Sequence, residues 1–222
     1  MLVAGKYPKR RVTRLRAART RHSERTRECV LQAAFREVYR FGFQSASVDR
    51  ILAATGVTKG ALYYHFKSKA ALGYAIVEEI IAPDVHRTWV RPLQQGRDPI
   101  DALIGIVRGI SVRPRHVRGG CPLNNLAQEM SSLHRGFRKR LESVFQTWQQ
   151  GVASALRVGQ ADGSVRRDLD PAETAGFLIA MVEGYGSLAK NAQDAKVMKA
   201  GIRKIVGWLQ SLRPPGNGKR GS

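Results

Sequence analysis

Seven large apolar residues, Phe137, Leu141, Val144, Phe145, Trp148, Val152 and Leu156, return to one side of the chain at helical spacing. They hold that side for about five turns of a 3.6-residue helix. A helix this long and this amphipathic is stable only when its apolar face is covered by other elements. Nowhere does the sequence show a convincing strand-like alternation of apolar and polar residues. The expected fold is therefore all-α, with several helices packed around this one.

Charge is distributed unevenly over the 222 residues. The net charge is +21, and residues 1–70 hold 16 Lys and Arg against four acids, Glu24, Glu28, Glu37 and Asp49. Ten of those cations fall between Lys6 and Arg27, where almost nothing apolar is available for burial. Residues 1–22 read as a basic, mobile arm whose natural partner is a polyanion; a solubilising tail is the plainer alternative. Cys29 and Cys121 are too far apart in sequence to suggest a ligand pair, which argues against a disulfide framework or a zinc site and fits a reducing cytosol. No uncharged apolar run approaches the roughly 18 residues of a spanning helix, and no signal peptide is evident. A cytoplasmic protein that does not enter the membrane is expected.

Helix signals then follow in order. Ser23 is read as the cap of a first helix with Val30, Ala34, Val38 and Phe41 on its inner face, ended by Gly42. Ser47 caps a short segment, Val48 to Ala54, with Val48, Ile51 and Leu52 inward. Thr55-Gly56-Val57 is a tight turn, a third helix runs from Thr58 to Phe66, and Ser68 caps a fourth that cannot pass Pro83 or Pro92 without a kink or stop. Further helical stripes occur at Ile100, Leu103, Ile104, Val107 and Ile110, and at Leu123, Leu126, Ala127 and Met130. Residues 111–120 read as a loop, Asp162-Gly163 as a stop and Asp170-Pro171-Ala172-Glu173 as a helix start. Two helices, about 171–190 and 194–211, close the chain before a disordered tail at 213–222. This divides the chain into an arm (1–22), a helix-turn-helix domain (23–67), a larger helical domain (68–212) and the tail.

Two short helices joined by a glycine turn, with another behind them, are the arrangement that sets a helix into the DNA major groove. On the candidate reading helix, Leu62 and Phe66 share an inward face, leaving Lys59, Gly60, Tyr63 and Tyr64 outward. Small Gly60 and Ala61 permit close backbone approach, Thr58 and Lys59 can donate to bases or phosphates, and the Tyr and His donors suit phosphate oxygens.

The run SVDRILAATGVTKGALYYHFKSKAAL, preceded by VLQAAFREVYRFGF, resembles the N-terminal DNA-binding domain of the TetR/AcrR family of bacterial transcriptional repressors. The likeness covers about Thr26 to Ile80 and departs from the commonest pattern at Val38 and Leu52, both apolar. It implies base or near-base contacts from Thr58, Lys59 and Gly60, and phosphate contacts from Ser47, Tyr63, Tyr64, His65 and Lys69. It further implies a homodimer on a double-stranded, pseudo-palindromic operator, and a small-molecule effector held in the second domain. Candidate effector residues are Trp89, Cys121, Asn124, Asn125, Met130, Phe145, Trp148, Phe177, Met181 and Tyr185, each of which also fits plain core packing. Candidate interface residues are Phe177, Met181, Tyr185, Leu188, Met198, Ile202, Ile205 and Leu209, with intramolecular packing as the alternative.

Cys121, beside Arg118 and two glycines, is either an acidic, reactive thiol or an inert one, and Cys29 should be packing. The five histidines show no metal-ligand spacing, and neither a phosphate loop nor a nucleophile elbow is present, so no enzyme, cofactor or metal is expected. The competing reading is an architectural or nonspecific nucleic-acid binder acting through the arm.

Overall fold

The computed structural model describes the backbone over residues 9–96 and 98–215, and side chains at 21, 23–96 and 98–215. The described residues form helices and turns with no strand among them. The chain falls into two compact units, Met1–Ile76 and Val77–Ser222. The arm reading of residues 1–8 and the tail reading from 216 onward lie outside the described residues.

The first unit contains α1 (Lys9–Phe41), α2 (Val48–Thr55), α3 (Lys59–His65) and α4 (Lys69–Ala75). α1 begins at Lys9, so Ser23 sits within a helix rather than capping one. Nothing in the polar stretch before Ser23 has the apolar period that announces a helix. Val30, Leu31, Ala34 and Val38 of α1, Ile51 of α2, Leu62 and Phe66 around α3, and Leu72 of α4 form the buried core. Phe41 does not join them: it is 43% exposed and lies beneath the Arg40 and Arg50 guanidinium groups, 5.0 and 4.7 Å from its ring centre. Cys29 is likewise exposed, on the outer side of α1 and not in the packing. Because α4 packs against α1, the first unit extends to Ile76 rather than stopping at Lys67.

Past α4 the helical run changes character. A π-helical segment (Ile76–Ile81), α5 (Ala82–Val85), a second π segment (His86–Val90) and a 3₁₀ turn (Arg91–Gln94) follow without a break. Pro83 and Pro92 lack the N–H that a uniform α ladder needs, and widened or tightened turns absorb the defect.

The second unit continues with α6 (Pro99–Arg108), α7 (Pro114–Gly119), α8 (Pro122–Met130), α9 (Arg135–Asp162), α10 (Pro171–Ala192) and α11 (Ala195–Ser211). The expected loop at 111–120 thus contains α7, opened by Pro114 at a first helical position where the missing N–H costs nothing. The long stripe of α9 is the centre: Phe137, Leu141, Val144, Trp148, Val152 and Leu156 are buried against α6, α8 and α10. Each such side chain contributes about 1.5–3 kcal/mol on burial. Near the end of α9 the packing requires glycine, because a Cβ at Gly159 would lie 2.5 Å from Val165 Cγ2 and 2.6 Å from Pro99 Cγ. α10 starts as its sequence indicates, with the Asp170 carboxylate accepting from the Ala172 and Glu173 N–H groups at 2.7 and 2.8 Å.

Candidate functional site

The start of α2 is fixed by an acid from α1. The Ser47 backbone N–H and the Arg50 guanidinium both donate to Glu37, at 3.0 and 2.6 Å, and Arg50 also donates to the Ser45 carbonyl at 2.9 Å. Burial alone would raise the Glu37 carboxyl, but the Arg50 bond and the Ser47 N–H outweigh it and hold it below the usual carboxylate range. Ser47 accepts from the Arg50 N–H at 3.4 Å and caps α2. At the other end Gly56 has φ +66, the left-handed conformation glycine adopts without strain, and this turns the chain into α3.

On α3 the inner and outer faces are sharply separated. Leu62 and Phe66 are 0% and 3% exposed, whereas Thr58, Lys59, Gly60 and Tyr64 face solvent. Thr58 caps the helix, its hydroxyl oxygen accepting from the Ala61 N–H at 3.2 Å. A Cβ added at Gly60 would meet nothing within 4 Å, so packing inside the protein does not require glycine there. Tyr63 and His65 are half-buried, and the Tyr64 ring stands edge-on to His65 at 5.1 Å. Burial and then the nearby Arg27 charge push the His65 imidazole below its ordinary value. Lys69 is half-buried and donates to the Gln44 carbonyl at 2.9 Å, with its ammonium 5.1 Å from the centre of the Phe43 ring.

The candidate effector residues separate into three groups. Trp89, Phe145 and Trp148 lie together: Trp89 and Trp148 have ring centres 4.5 Å apart, and Phe145 stacks on Trp148 at 6.5 Å. Met130 is buried on α8. Cys121, Asn124 and Asn125 form a half-buried polar seam with α10. Asn124 donates to the Ser187 hydroxyl at 3.2 Å, Lys190 donates to the Asn125 side-chain oxygen at 2.8 Å, and Asn125 donates to the Gly119 carbonyl at 2.7 Å. Cys121 is hydrogen-bonded to Glu183. Burial pushes the Glu183 carboxyl up. The Cys121 thiol is pushed well above its ordinary range by burial and by the Glu183 charge, which leaves it protonated and unlike a reactive thiolate.

Phe177 and Tyr185 meet residues of α11, and Met181 is half-buried on α10. Phe177 is 53% exposed and meets Trp208 edge-on at 5.2 Å, which places it on the outer face of α10 and not in an interior site. Tyr185 covers Gly201 of α11, where a Cβ would collide with its ring. Among the interface candidates, Met198, Ile205 and Leu209 are 5%, 0% and 0% exposed. They belong to the chain's own core, because α11 turns that stripe onto α10, α6 and α7. Ile202 and Met181 are half-buried, and Phe177 and Leu188 remain strongly exposed. Glu183 and Trp208 are absent from the sequence-based candidates. An acid between Val182 and Gly184 on an apolar helix was the available signal for the first, and a tryptophan beside the Ile205 and Leu209 stripe for the second.

Among the described residues no group of three or more His, Cys, Asp or Glu is placed to hold a metal, and no helix is long and apolar enough to cross a membrane.

Comparison with known proteins agrees with this geometry. Residues 30–76 match the family model for bacterial regulatory proteins of the tetR family, and residues 98–205 match the tetracyclin repressor-like C-terminal domain. The chain is 32% identical over 151 residues to the HTH-type transcriptional repressor DhaR of Mycobacterium sp. (strain GP1), covering 64% of this chain and 71% of that protein. It is also 32% identical over 153 residues to the transcriptional regulator AcuR of Cereibacter sphaeroides, covering 65% and 67%. The crystal structure of a TetR transcriptional regulator from Chloroflexus aurantiacus superposes with a TM-score of 0.76 at 26% identity, covering 86% of this chain and 96% of that one. A helix-turn-helix whose second helix has a solvent-facing side, carried on a chain that matches both halves of the family, makes this protein a member of the TetR family of transcriptional regulators.

Proposed function

We propose that the chain is a ligand-responsive repressor that binds a pseudo-palindromic operator as a homodimer and is released by a small-molecule effector. The observation that carries this reading is the outer face of α3. Thr58, Lys59, Gly60 and Tyr64 are solvent-facing on a helix anchored from behind by Leu62 and Phe66, and Gly60 opens onto empty space. A side chain is missing where no neighbour within the protein forbids one, which suits a backbone that must approach base edges closely. Ser47, Tyr63, Tyr64, His65 and Lys69 are the proposed phosphate contacts. Lys69 would use donors left over after its bond to Gln44, since an ammonium has three.

Two-fold operators require two reading helices at a spacing of roughly 34 Å or its multiples. The exposed ridge Phe177, Ala180, Gly184 and Leu188 on α10, flanked by Trp208, is the proposed interface. Effector binding favours the dimer form whose reading heads are wrongly spaced, through a coupling of about 1–3 kcal/mol. The description of DhaR as a repressor supports the sign of regulation.

Selection of bound duplexes from a random pool, followed by comparison of selected and random duplexes at one salt concentration, tests the reading. A two-fold symmetric sequence preferred by about 10³ or more is expected. Equal affinity for all duplexes would replace the repressor with an architectural binder.

A further inference from the structure

Trp148 lies in the middle of α9 and is 1% exposed, yet its indole N–H finds no hydrogen-bond partner among the described residues. Buried indole N–H groups ordinarily do find one, so an orphaned donor of this kind calls for a partner from outside the chain. Its surroundings narrow what that partner is. Trp89 approaches with a centre-to-centre distance of 4.5 Å and an angle of 36° between the planes, and Phe145 lies nearly parallel at 6.5 Å and 10°. These rings supply flat apolar surface and no charge to balance an ion.

Trp89 has a second distinguishing feature: it sits on the π-helical segment His86–Val90. Such turns are rare insertions in helices and are frequent at functional sites. Just beyond Trp148, a Cβ at Gly151 would lie 2.9 Å from Val90 Cγ2, so α9 and the π turn already touch there and hold the two indoles in fixed register.

We propose that Trp148 is the polar anchor of the effector site, its indole N–H donating to an oxygen acceptor on an uncharged, flat, largely apolar molecule that lies against Trp89. This assignment rests on the effector-responsive reading above and names the chemical class of the effector. One donor among aromatic faces selects a carbonyl or ether oxygen on a hydrocarbon body; a carboxylate or an amine would be left with its charge uncompensated.

Acetophenone and ethylbenzene form a matched probe pair, alike in size and differing in the carbonyl. Titration calorimetry and thermal melting of the full chain should show acetophenone binding at least fivefold more tightly and raising Tm more at equal concentration. In Trp148→Phe, which keeps an aromatic ring and removes the donor, the preference should fall to within twofold. As a readout that does not depend on that variant folding, the Trp148 indole N–H resonance of ¹⁵N-labelled protein, assigned with Trp89→Phe and Trp208→Phe, should move downfield with acetophenone and stay in place with ethylbenzene. Equal binding of both probes, binding of neither, a preference surviving in Trp148→Phe, or an unmoved resonance overturns the proposal. Operator selectivity of the ligand-free chain, measured in parallel, separates the two readings. A selective protein without carbonyl preference loses this inference alone, and a nonselective protein loses the repressor reading whatever the probes do.

Discussion

Arg213, just beyond the last helix, clamps Asp98 at the start of α6, its guanidinium donating to the two carboxylate oxygens at 2.8 and 3.2 Å. A third bond reaches Asp101 at 2.7 Å. Asp98 also caps α6 by accepting from the Ile100 and Asp101 N–H groups at 2.9 and 3.0 Å. The turn that follows α11 is thereby tied to a helix more than a hundred residues earlier.

Removing this clamp should loosen the second unit. Because both side chains are partly exposed, Arg213→Ala is expected to cost about 1 kcal/mol. Asp98→Ala, which also loses the cap, should cost roughly 1 kcal/mol more. Burial alone would raise the Asp98 carboxyl, but the Arg213 bond and the two N–H groups hold it below its ordinary value of 3.8. A carboxyl depressed on folding stabilises fully above its unfolded pKa and loses that contribution as pH falls through the folded value. Urea melts of wild type and Asp98→Asn should therefore differ at pH 7 and converge below pH 3.8.

Gly60→Ala should separate stability from recognition. The position is helical, and a Cβ there meets no atom of the protein, so the substitution should stabilise the fold by about 0.5–1 kcal/mol. Operator affinity should nevertheless fall, because the added methyl stands between backbone and base edges. Lys59→Ala should weaken binding with little change in Tm, and Leu62→Ala, from the core, should cost about 2–5 kcal/mol of stability. Fluorescence anisotropy with the selected duplex, paired with melts, checks all three; tighter binding by Gly60→Ala would remove the close-approach argument.

As a proposed phosphate contact, His65 should give DNA binding a pH dependence. Burial first and the Arg27 charge second keep its imidazole below the ordinary 6.5, so the free protein carries it neutral at pH 7. A phosphate beside it favours the protonated form and raises its pKa, so binding takes up a proton and affinity increases as pH falls from 7.5 to 6. His65→Gln should flatten that slope. An unaltered slope in the variant would remove His65 from the phosphate contacts.

On stability, Glu183 acts in the opposite sense to Asp98. Its carboxyl is pushed above 4.5 by burial, so the folded state retains a proton that the unfolded state has released. Stability then declines as pH rises from 4.5 through the folded pKa. Glu183→Gln, which mimics the neutral acid, should match wild type at low pH and melt progressively higher than wild type toward pH 8. Equal melting at every pH would show that the carboxyl is freely solvated.

The third helix was legible because two independent signals coincide within a few residues: the Gly56 turn, and the Leu62 and Phe66 period. The cap at Asp170 and the stop at Gly163 were legible for the same reason. The N-terminal part of α1 was not, since a stretch with so few apolar residues among its cations leaves no clear period to read. Periodicity also reports a face without naming what covers it. The stripe Met198, Ile205 and Leu209 satisfies an interface and a core equally well, and only the turn of α11 onto its neighbours assigns it to the core. Pair relations across long separations, such as Cys121 with Glu183 or Lys69 with Gln44, have no local signature at all.

Glu37 shows where charge optimisation of this protein would mislead. An engineer seeking a tighter operator binder would replace the few acids of a cationic reading unit first, and Glu37→Lys would strengthen the general pull toward duplex DNA. The same change would unseat Ser47 and Arg50 and leave α2 without its footing. The resulting protein would hold DNA more firmly and discriminate among its sequences less well.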